Sequence, residues 1–381
     1  MTTEIIGAAE RTPSRSAEGV TVPELLVEIA GAAVDDAEIA LRDVDGLLIA
    51  PRVIGSPLTM PATVGEYLGS TPSYLDIVDL GGATAVGMIA RASAAIATGL
   101  CRRVLCVLAD TLDPKSFYQR PVRWEGVPAA EFERPFGPMG TTAGYGLIAQ
   151  RHAFEFGTTD EQRVKIAVDE RANAAMNPAA LYHGTPLSTE DVLASDLIAD
   201  PLHRHEIVTP CTGAAAFVVA GDGAGGARRV SVAGYGELTT HVSPAQAGDL
   251  MTSGLAGAAR RAFDDARVAP PDVDVALLYD CYTIAVLIAL EDAGFCAKGR
   301  GGPFVAEHDL TFRGDFPLNP HGGQLSFGQP GLAGGAGHVV EAMRQLTDTA
   351  GDRQVDGCEL AFVSGNGGIM GEQACTVLKR V

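Results

Sequence analysis

A chain of 381 residues, 46% hydrophobic and 20% charged, is long enough to bury one large core or two smaller ones and too apolar to stay disordered. Its formal charge of −19 argues against a nucleic-acid binder, which needs a clustered basic surface, and leaves any anionic substrate to a local basic patch. The seven cysteines are odd in number and lack a CxxC pair, so they read as buried free thiols; no 18-residue apolar run could span a membrane, and a cytoplasmic protein is expected.

In chain order, the apolar run at 3–8 predicts a strand that breaks at Gly7. Apolar residues at i, i+3 and i+4 over 23–39 predict a helix, and 46–50 predicts a second strand. GGATAVGMIARASAAIATG at 81–99 is a helix of small residues suited to burial between two sheets, and the strand RRVLCVLAD follows it. Residues 110–210 open with the irregular stretch FYQRPVRWEGVPAAEFERPFGPMG, which holds Trp124, Arg120, Arg123 and Arg134, and then turn helical; they read as a cap or lid. His203 and His205 have strand-like spacing but no third ligand nearby in sequence, and no metal site is read there. The glycine-rich 221–229 lies between two strands instead of opening a helix, which makes it a linker and not a phosphate loop.

The pattern then repeats: a strand at 229–235, a helix at 250–266 and a strand at 274–279 that ends in Tyr279-Asp280-Cys281-Tyr282. NPHGGQLSFGQPG at 319–331 leads into a second small-residue helical stretch, and a strand follows at 358–366. Asp35-Asp36 matches Asp264-Asp265, and Asp43-Val44-Asp45 matches Asp272-Val273-Asp274, both at an offset of 229; Gly7 and Gly234 match at 227. Strands alternating with helices, twice over, predict an α/β protein of two duplicated βαβ-type domains, a mainly parallel sheet and a pseudo-twofold. The halves are 1–225, including the insertion at about 110–210, and 226–381.

This duplicated chain resembles the thiolase superfamily, in its sterol-carrier-protein branch, over nearly its full length. The resemblance is carried by YGLIAQRHAFEFGTTDEQRVKIAVDERANAAMNP at 145–178, DVLASDLIADPL at 191–202 and HGGQLSFGQPG. Within that branch, LYDCYT, LEDAGFCAKG and LNPHGGQL are most similar to the lipid-transfer-protein-like aldolases of steroid side-chain degradation. The resemblance implies the thiolase-like α/β/α/β/α layering.

It also implies which residues stand at the thiolase catalytic positions. Gly82 takes the place of the nucleophilic cysteine, Gln329 that of the base histidine in the family's GHP motif, and Asn366 in SGNGG that of the second cysteine. A covalent acyl-enzyme is therefore not expected. Tyr279 matches the aldolases' tyrosine at the first position of the NEAF-type loop, and His321 matches their NTHGG; they carry a second tyrosine where this chain has Gln329.

Tyr279, a phenol of ordinary pKa about 10, would move the β-hydroxyl proton and needs a polarising neighbour to do so. Asp280 either orients that network or caps the following helix. Tyr282 reads as packing. His321 is a candidate for polarising a thioester or moving a proton, and Gln329 for donating an amide hydrogen bond to an enolate oxygen. Asn366, with Gly365, Gly367 and Gly368, suits an oxyanion-hole backbone, as does Gly82.

The implied activity is retro-aldol cleavage of a β-hydroxyacyl-CoA with a steroid-like or other bulky acyl chain. It needs no cofactor beyond the CoA carried by the substrate, which the arginines of 110–210 would hold. The implied partners are a second copy of the chain, paired through edge strands, and a small OB-fold acyl-CoA-binding protein. Two alternatives are an acyltransferase with an unrecognised nucleophile, for which Cys281 is the candidate, and a non-catalytic subunit that scaffolds the OB-fold partner.

Overall fold

The structure is a computed structural model that describes residues 3–17, 19–51, 60–113, 131–137, 140–223 and 225–381. Its centre is one nine-stranded sheet of order β3-β2-β4-β7-β1-β8-β11-β10-β9. The strands are β1 Thr3–Glu10, β2 Gly46–Ile49, β3 Tyr74–Ile77, β4 Arg103–Thr111, β7 Thr212–Gly221, β8 Val230–Thr239, β9 Val275–Leu277, β10 Leu360–Gly367 and β11 Glu372–Arg380. Two short strands, β5 Leu197–Ala199 and β6 Leu202–His203, pair separately.

The duplication read from the sequence is present in β2, β4, β7 and β1 against β9, β10, β11 and β8, with β3 added at the edge of the first half. Inside β3 the first half runs β2-β4-β7-β1, and from the opposite edge the second runs β9-β10-β11-β8, meeting where Glu4 pairs with Ser231 and Ile5 with Val230. Pairing directions match as well: β2–β4 and β9–β10 are parallel, β4–β7 and β10–β11 antiparallel. The expectation of a mainly parallel sheet is corrected by these antiparallel pairs. β11 returns from β10 through the tight turn at 368–371, where Gly368 has φ +61°, and a turn that short can only join antiparallel strands.

Five helices set the layers: α1 Val22–Asp36, α3 Thr84–Ala97, α7 Leu255–Ala266, α8 Thr283–Asp292 and α10 Gly334–Leu346. Along β4, Val104, Cys106 and Leu108 face one core and Leu105, Val107 and Ala109 another, the alternation that a strand buried on both faces must show. α3 and α10 share the inner core with strands of both halves, α1 lies on the outer face of the first half, and α7 and α8 lie on that of the second. That is the five-layer order expected. Gly7 and Gly234, matched in the repeat, serve the same purpose: a Cβ would fall 2.6 Å from the Ala33 carbonyl oxygen at the first and 2.0 Å from the Ala262 carbonyl oxygen at the second. Only glycine lets the outer helices lie this close to the strands.

The region 110–210 begins inside β4, which runs to Thr111, so its first residues belong to the sheet. Its helices α4 Thr141–Phe156 and α5 Asp160–Ala175 pack on the second half. A short helix α6, Thr189–Ala194, follows them. Arg134 is exposed, whereas Arg120, Arg123 and Trp124 lie outside the described residues. The remaining helices are α2 Met60–Leu68 and α9 Gly301–Glu307, and no described helix is long and apolar enough to cross a membrane.

Candidate active site

Four segments meet where the parallel strands of the second half end: the turn at 81–83 that opens α3, Tyr279–Tyr282 after β9, the loop 319–331, and the end of β10. The glycines of these segments let the backbones approach. A Cβ on Gly365 would lie 2.7 Å from Ala83 Cα, and one on Gly367 would lie 2.1 Å from the Leu80 carbonyl oxygen.

Tyr279 is 5% exposed, and its ring occupies the space that a side chain at position 82 would need. A Cβ on Gly82 would lie 2.2 Å from both Cζ and Oη of Tyr279, and 2.4 Å from the Asn366 carbonyl oxygen. Gly82 and Tyr279 are thus coupled: the phenol stands at the mouth of α3 because residue 82 has no side chain. The Tyr279 backbone N–H donates to Ser364 Oγ at 3.1 Å, which fixes the end of the strand. Burial pushes the phenol above its ordinary range, and Cys281 and Asp280 add to the rise; hydrogen bonds with the side chains of Gln329 and Gln324 pull the other way.

Asp280 does not cap the helix that follows, because α8 begins after Tyr282 and takes no side-chain cap. It orients the site instead. Its Oδ2 accepts the Leu325 N–H at 2.9 Å, and its Oδ1 lies 3.1 Å from His338 Nε2 and 3.4 Å from Gln324 Nε2. Burial opposes ionisation, but His338, Glu170 and the Leu325 N–H overcome it and hold the carboxyl at about 2. Glu170 behaves oppositely: burial and then the neighbouring Asp280 push it well above the ordinary carboxyl range. It is the member of the carboxyl pair with Asp280 that burial and its neighbour push towards the protonated form, and its Oε1 accepts from Asn319 Nδ2 at 2.7 Å. Gly323, at φ +60°, is required here, since a Cβ would meet Asp280 Oδ2 at 2.2 Å and Glu170 Oε2 at 2.7 Å.

This pair makes a checkable prediction. Gln in place of Glu170 mimics the protonated acid, so the Glu170→Gln variant should melt at or above the wild-type temperature at pH 7. The sign follows from the raised native pKa. Stability carried by the native proton is full below the unfolded value, near 4.5, and falls as the pH rises above it, a loss that glutamine does not share. Asp280→Asn leaves His338 or the Leu325 N–H without its acceptor and should cost about 3–5 kcal/mol. Thermal unfolding of both variants over pH 4–8 measures the contrast.

Tyr279 and His321, both expected to act on the substrate, do not meet in the structure. His321 does not sit opposite Tyr279; its ring meets His338, with centroids 5.1 Å apart, and it is His338 whose ring meets Tyr279, at 6.3 Å. His321 is 1% exposed, and its Nδ1 has no hydrogen-bond partner among the described residues. Burial first, and then the charge of His338, drive its pKa well below 6.5, so it is a neutral imidazole. The glycines around it do not open it to solvent, because α5 and the residues after it cover the loop: Asn173 Nδ2 donates to the Leu318 carbonyl and Asn177 Nδ2 to that of His321, each at 2.9 Å.

Asn366 is also placed differently from an oxyanion-hole turn. It lies within β10, its Nδ2 donating to Tyr145 Oη at 2.8 Å and its Oδ1 accepting from Gln373 Nε2 at 2.9 Å, so its amide is committed to the wall of the site. Tyr145 stacks on Tyr282 at 4.2 Å, and Tyr282 Oη contacts Thr142 Oγ1 at 2.8 Å, which makes the packing residue Tyr282 part of that wall. Cys281 is buried and its thiol is pushed up to about 12, mainly by burial, so it is not a nucleophile at neutral pH. No cluster of His, Cys, Asp and Glu able to hold a metal ion forms among the described residues.

Sequence reasoning brought together Tyr279, Asp280, Gln329 and Gly82, and it missed Gln324, His338 and Glu170. His338 lies inside the run GGAGHVVEAM and reads as helix core. For Glu170 a signal was available: Glu170, Asn173 and Asn177 recur at helical spacing in VDERANAAMN, a polar stripe on a helix packed against the protein.

With this geometry in place, comparison with known proteins is informative. The family described as "Thiolase C-terminal domain-like" matches residues 236–380. The chain is 28% identical to the acetyl-CoA acetyltransferase of Methanothermobacter thermautotrophicus over 383 residues, 95% of each protein. It is 30% identical to the 17-hydroxy-3-oxo-4-pregnene-20-carboxyl-CoA lyase of Mycobacterium tuberculosis over 359 residues, which cover 88% of this chain and 89% of that one. Among solved structures, the Ltp2-ChsH2(DUF35) aldolase superposes with a TM-score of 0.88 at 26% identity, covering 100% of this chain and 98% of that one.

Proposed function

The chain belongs to the thiolase superfamily, in its sterol-carrier-protein thiolase-like branch, and from that premise we propose that it is an acyl-CoA-directed carbon–carbon lyase that cleaves a β-hydroxyacyl-CoA by a retro-aldol reaction. The observation that carries this reading is the exclusion of any side chain at position 82 by the ring of Tyr279. A thiol nucleophile and this tyrosine cannot occupy the site together, so the chemistry is that of a buried phenol and not of a thiolate.

In the reaction, Tyr279 as phenolate takes the β-hydroxyl proton. The alkoxide collapses to a carbonyl, the Cα–Cβ bond breaks, and its electron pair moves into the thioester as an enolate. The phenol then returns the proton to Cα, so protons balance and no acyl group is attached to the enzyme. The side chains of Gln329 and Gln324 favour the phenolate form of Tyr279. Backbone amides near Gly82 and Gly367, with Gln329, are assigned to the enolate oxygen. His338, held by Asp280 and within 3.4 Å of Gln324 Nε2, fixes the orientation of that amide.

The 17-hydroxy-3-oxo-4-pregnene-20-carboxyl-CoA lyase among the relatives supports a steroid-like acyl chain, and the pairing of Ltp2 with ChsH2 in the similar structure supports a small partner protein. A second copy is assigned to β3, the edge strand, where Leu75 and Ile77 are 38% and 37% exposed. All seven cysteines are unpaired, which suits a reducing cytoplasm.

Intact-mass measurement after incubation with acyl-CoA tests the proposal. The protein mass should be unchanged at every time point. A stable increment equal to the acyl group would replace the lyase by an acyltransferase with a nucleophile elsewhere, as the acetyltransferase among the relatives would suggest.

A further inference from the structure

Buried guanidinium groups in this protein are matched by carboxylates. Arg163 bonds Glu206, Arg353 bonds Glu341 at 2.9 Å, Arg344 bonds Glu10, and the half-buried Arg91 bonds Glu237 at 2.7 Å. Among the described residues, Arg171 on α5 is the exception. It is 3% exposed, its Nε donates to Ser326 Oγ at 2.9 Å, and its two terminal nitrogens have no partner among the described residues. Its guanidinium carbon lies 3.8 Å over the ring of Tyr182, and that of Arg15 lies 4.7 Å over the same ring. No carboxylate pairs with either arginine among the described residues, although the chain carries a formal charge of −19. Two cations on one ring repel each other, and no carboxylate offsets that here.

The place is as informative as the charge. Leu181 and Tyr182 hydrogen-bond through their backbones to Phe327 and Ser326, and Tyr182 Oη contacts Thr209 Oγ1 at 2.9 Å. Thr209 in turn accepts the Gln329 N–H at 3.1 Å. The arginine pair therefore lies against the loop 319–331, the same loop that carries Gln324 and Gln329 to Tyr279. His205 also faces Arg171, and its pKa is lowered by burial and then by the positive charge of Arg171 and Arg204, so it is not a counter-ion.

We propose that Arg15, Arg171 and Tyr182 form an anion-binding site that takes a phosphate group, supplied by the CoA part of the substrate. This rests on the reading of the substrate as a CoA thioester. It identifies which of the arginines in and near 110–210 meet a CoA phosphate: Arg151, Arg163 and Arg204 are already paired with Glu155, Glu206 and Asp196, and Arg171 is not. A phosphate there neutralises both cations and ties the far end of the substrate to the catalytic loop.

Titration calorimetry with inorganic phosphate and with CoA, on wild type, Arg15→Ala and Arg171→Met, tests the site. Arg15 is exposed, so its variant folds, and methionine at 171 keeps the contact with Tyr182. Either substitution should weaken both ligands by about tenfold or more. The KM advantage of a CoA thioester over the corresponding pantetheine thioester should shrink by a similar factor. Arginine-dependent binding of phosphate without an effect on CoA would keep the anion site and remove CoA as its source. Wild-type affinities in both variants would overturn the proposal, and cleavage of the pantetheine thioester by wild type would show that the lyase reading had survived it.

Discussion

Tyr279→Phe should lower turnover by about 10²–10⁴-fold, the range a positioned proton-transfer group contributes, while the protein keeps its fold. The substitution removes one oxygen and leaves the ring that fills the space beside Gly82, so the inner core is undisturbed. What is lost is the acceptor of the substrate proton and the polar group on which Gln324 and Gln329 act. Thermal unfolding should shift by only the net value of a lost hydrogen bond, about 1 kcal/mol. The wild-type pH profile supplies a second reading of the same group. Because burial raises the phenol above 10, the phenolate fraction grows with pH throughout the neutral range, and kcat/KM should climb through pH 9 without a plateau. A profile flat from pH 7 upward, or a phenylalanine variant with wild-type turnover in the assembled complex, would instead describe a scaffold whose partner does the chemistry.

Gly82→Ala should both destabilise the protein and slow its turnover. Gly82 does not have a positive φ, so alanine meets no backbone strain there, and the whole effect is steric. The added carbon would sit 2.2 Å from the Tyr279 hydroxyl and 2.4 Å from the Asn366 carbonyl oxygen, and neither can yield freely. Asn366 belongs to a paired strand, and the tyrosine is packed against Gly335, where a Cβ would already touch Tyr279 Cε2 at 3.3 Å. Overpacking of this kind costs about 1–3 kcal/mol of stability. A tyrosine hydroxyl displaced by about 1 Å loses roughly a further 10²-fold in rate. Gly82→Cys, which restores the superfamily's thiol, should therefore not restore acyl transfer, and it should disable the lyase. Unfolding midpoints and single-turnover rates of Gly82→Ala and Tyr279→Phe, measured side by side, separate the steric effect from the chemical one.

The fold was legible because the repeat left matching marks in both halves. The two Asp-Asp pairs and the two Asp-Val-Asp turns sit at a constant offset, and Gly7 and Gly234 sit where helices press on strands. Strand direction was less legible: apolar runs such as those of β7 and β11 are buried on both faces whether they run parallel or antiparallel, and only the connecting turns decide. In the site, residues on loops announced themselves, since Tyr279, Asp280 and Gln329 interrupt glycine-rich or apolar segments. His338 and Glu170 did not. His338 lies within a helix that reads as packing and Glu170 in a polar helical stripe, and each acquires a chemical meaning only from Asp280, which is distant in sequence. His321 shows the converse, a loop histidine that folding buries as a neutral ring beside His338.

The central claim is that this superfamily scaffold breaks a carbon–carbon bond with a buried phenol and no acyl-enzyme. It is tested most directly by supplying a β-hydroxyacyl-CoA to the assembled enzyme with no free CoA present and following both products. The account predicts equimolar carbonyl compound and shortened acyl-CoA, at a rate that added CoA does not raise. A reaction that stops without free CoA and resumes on its addition would contradict it, because only thiolytic transfer consumes a second CoA.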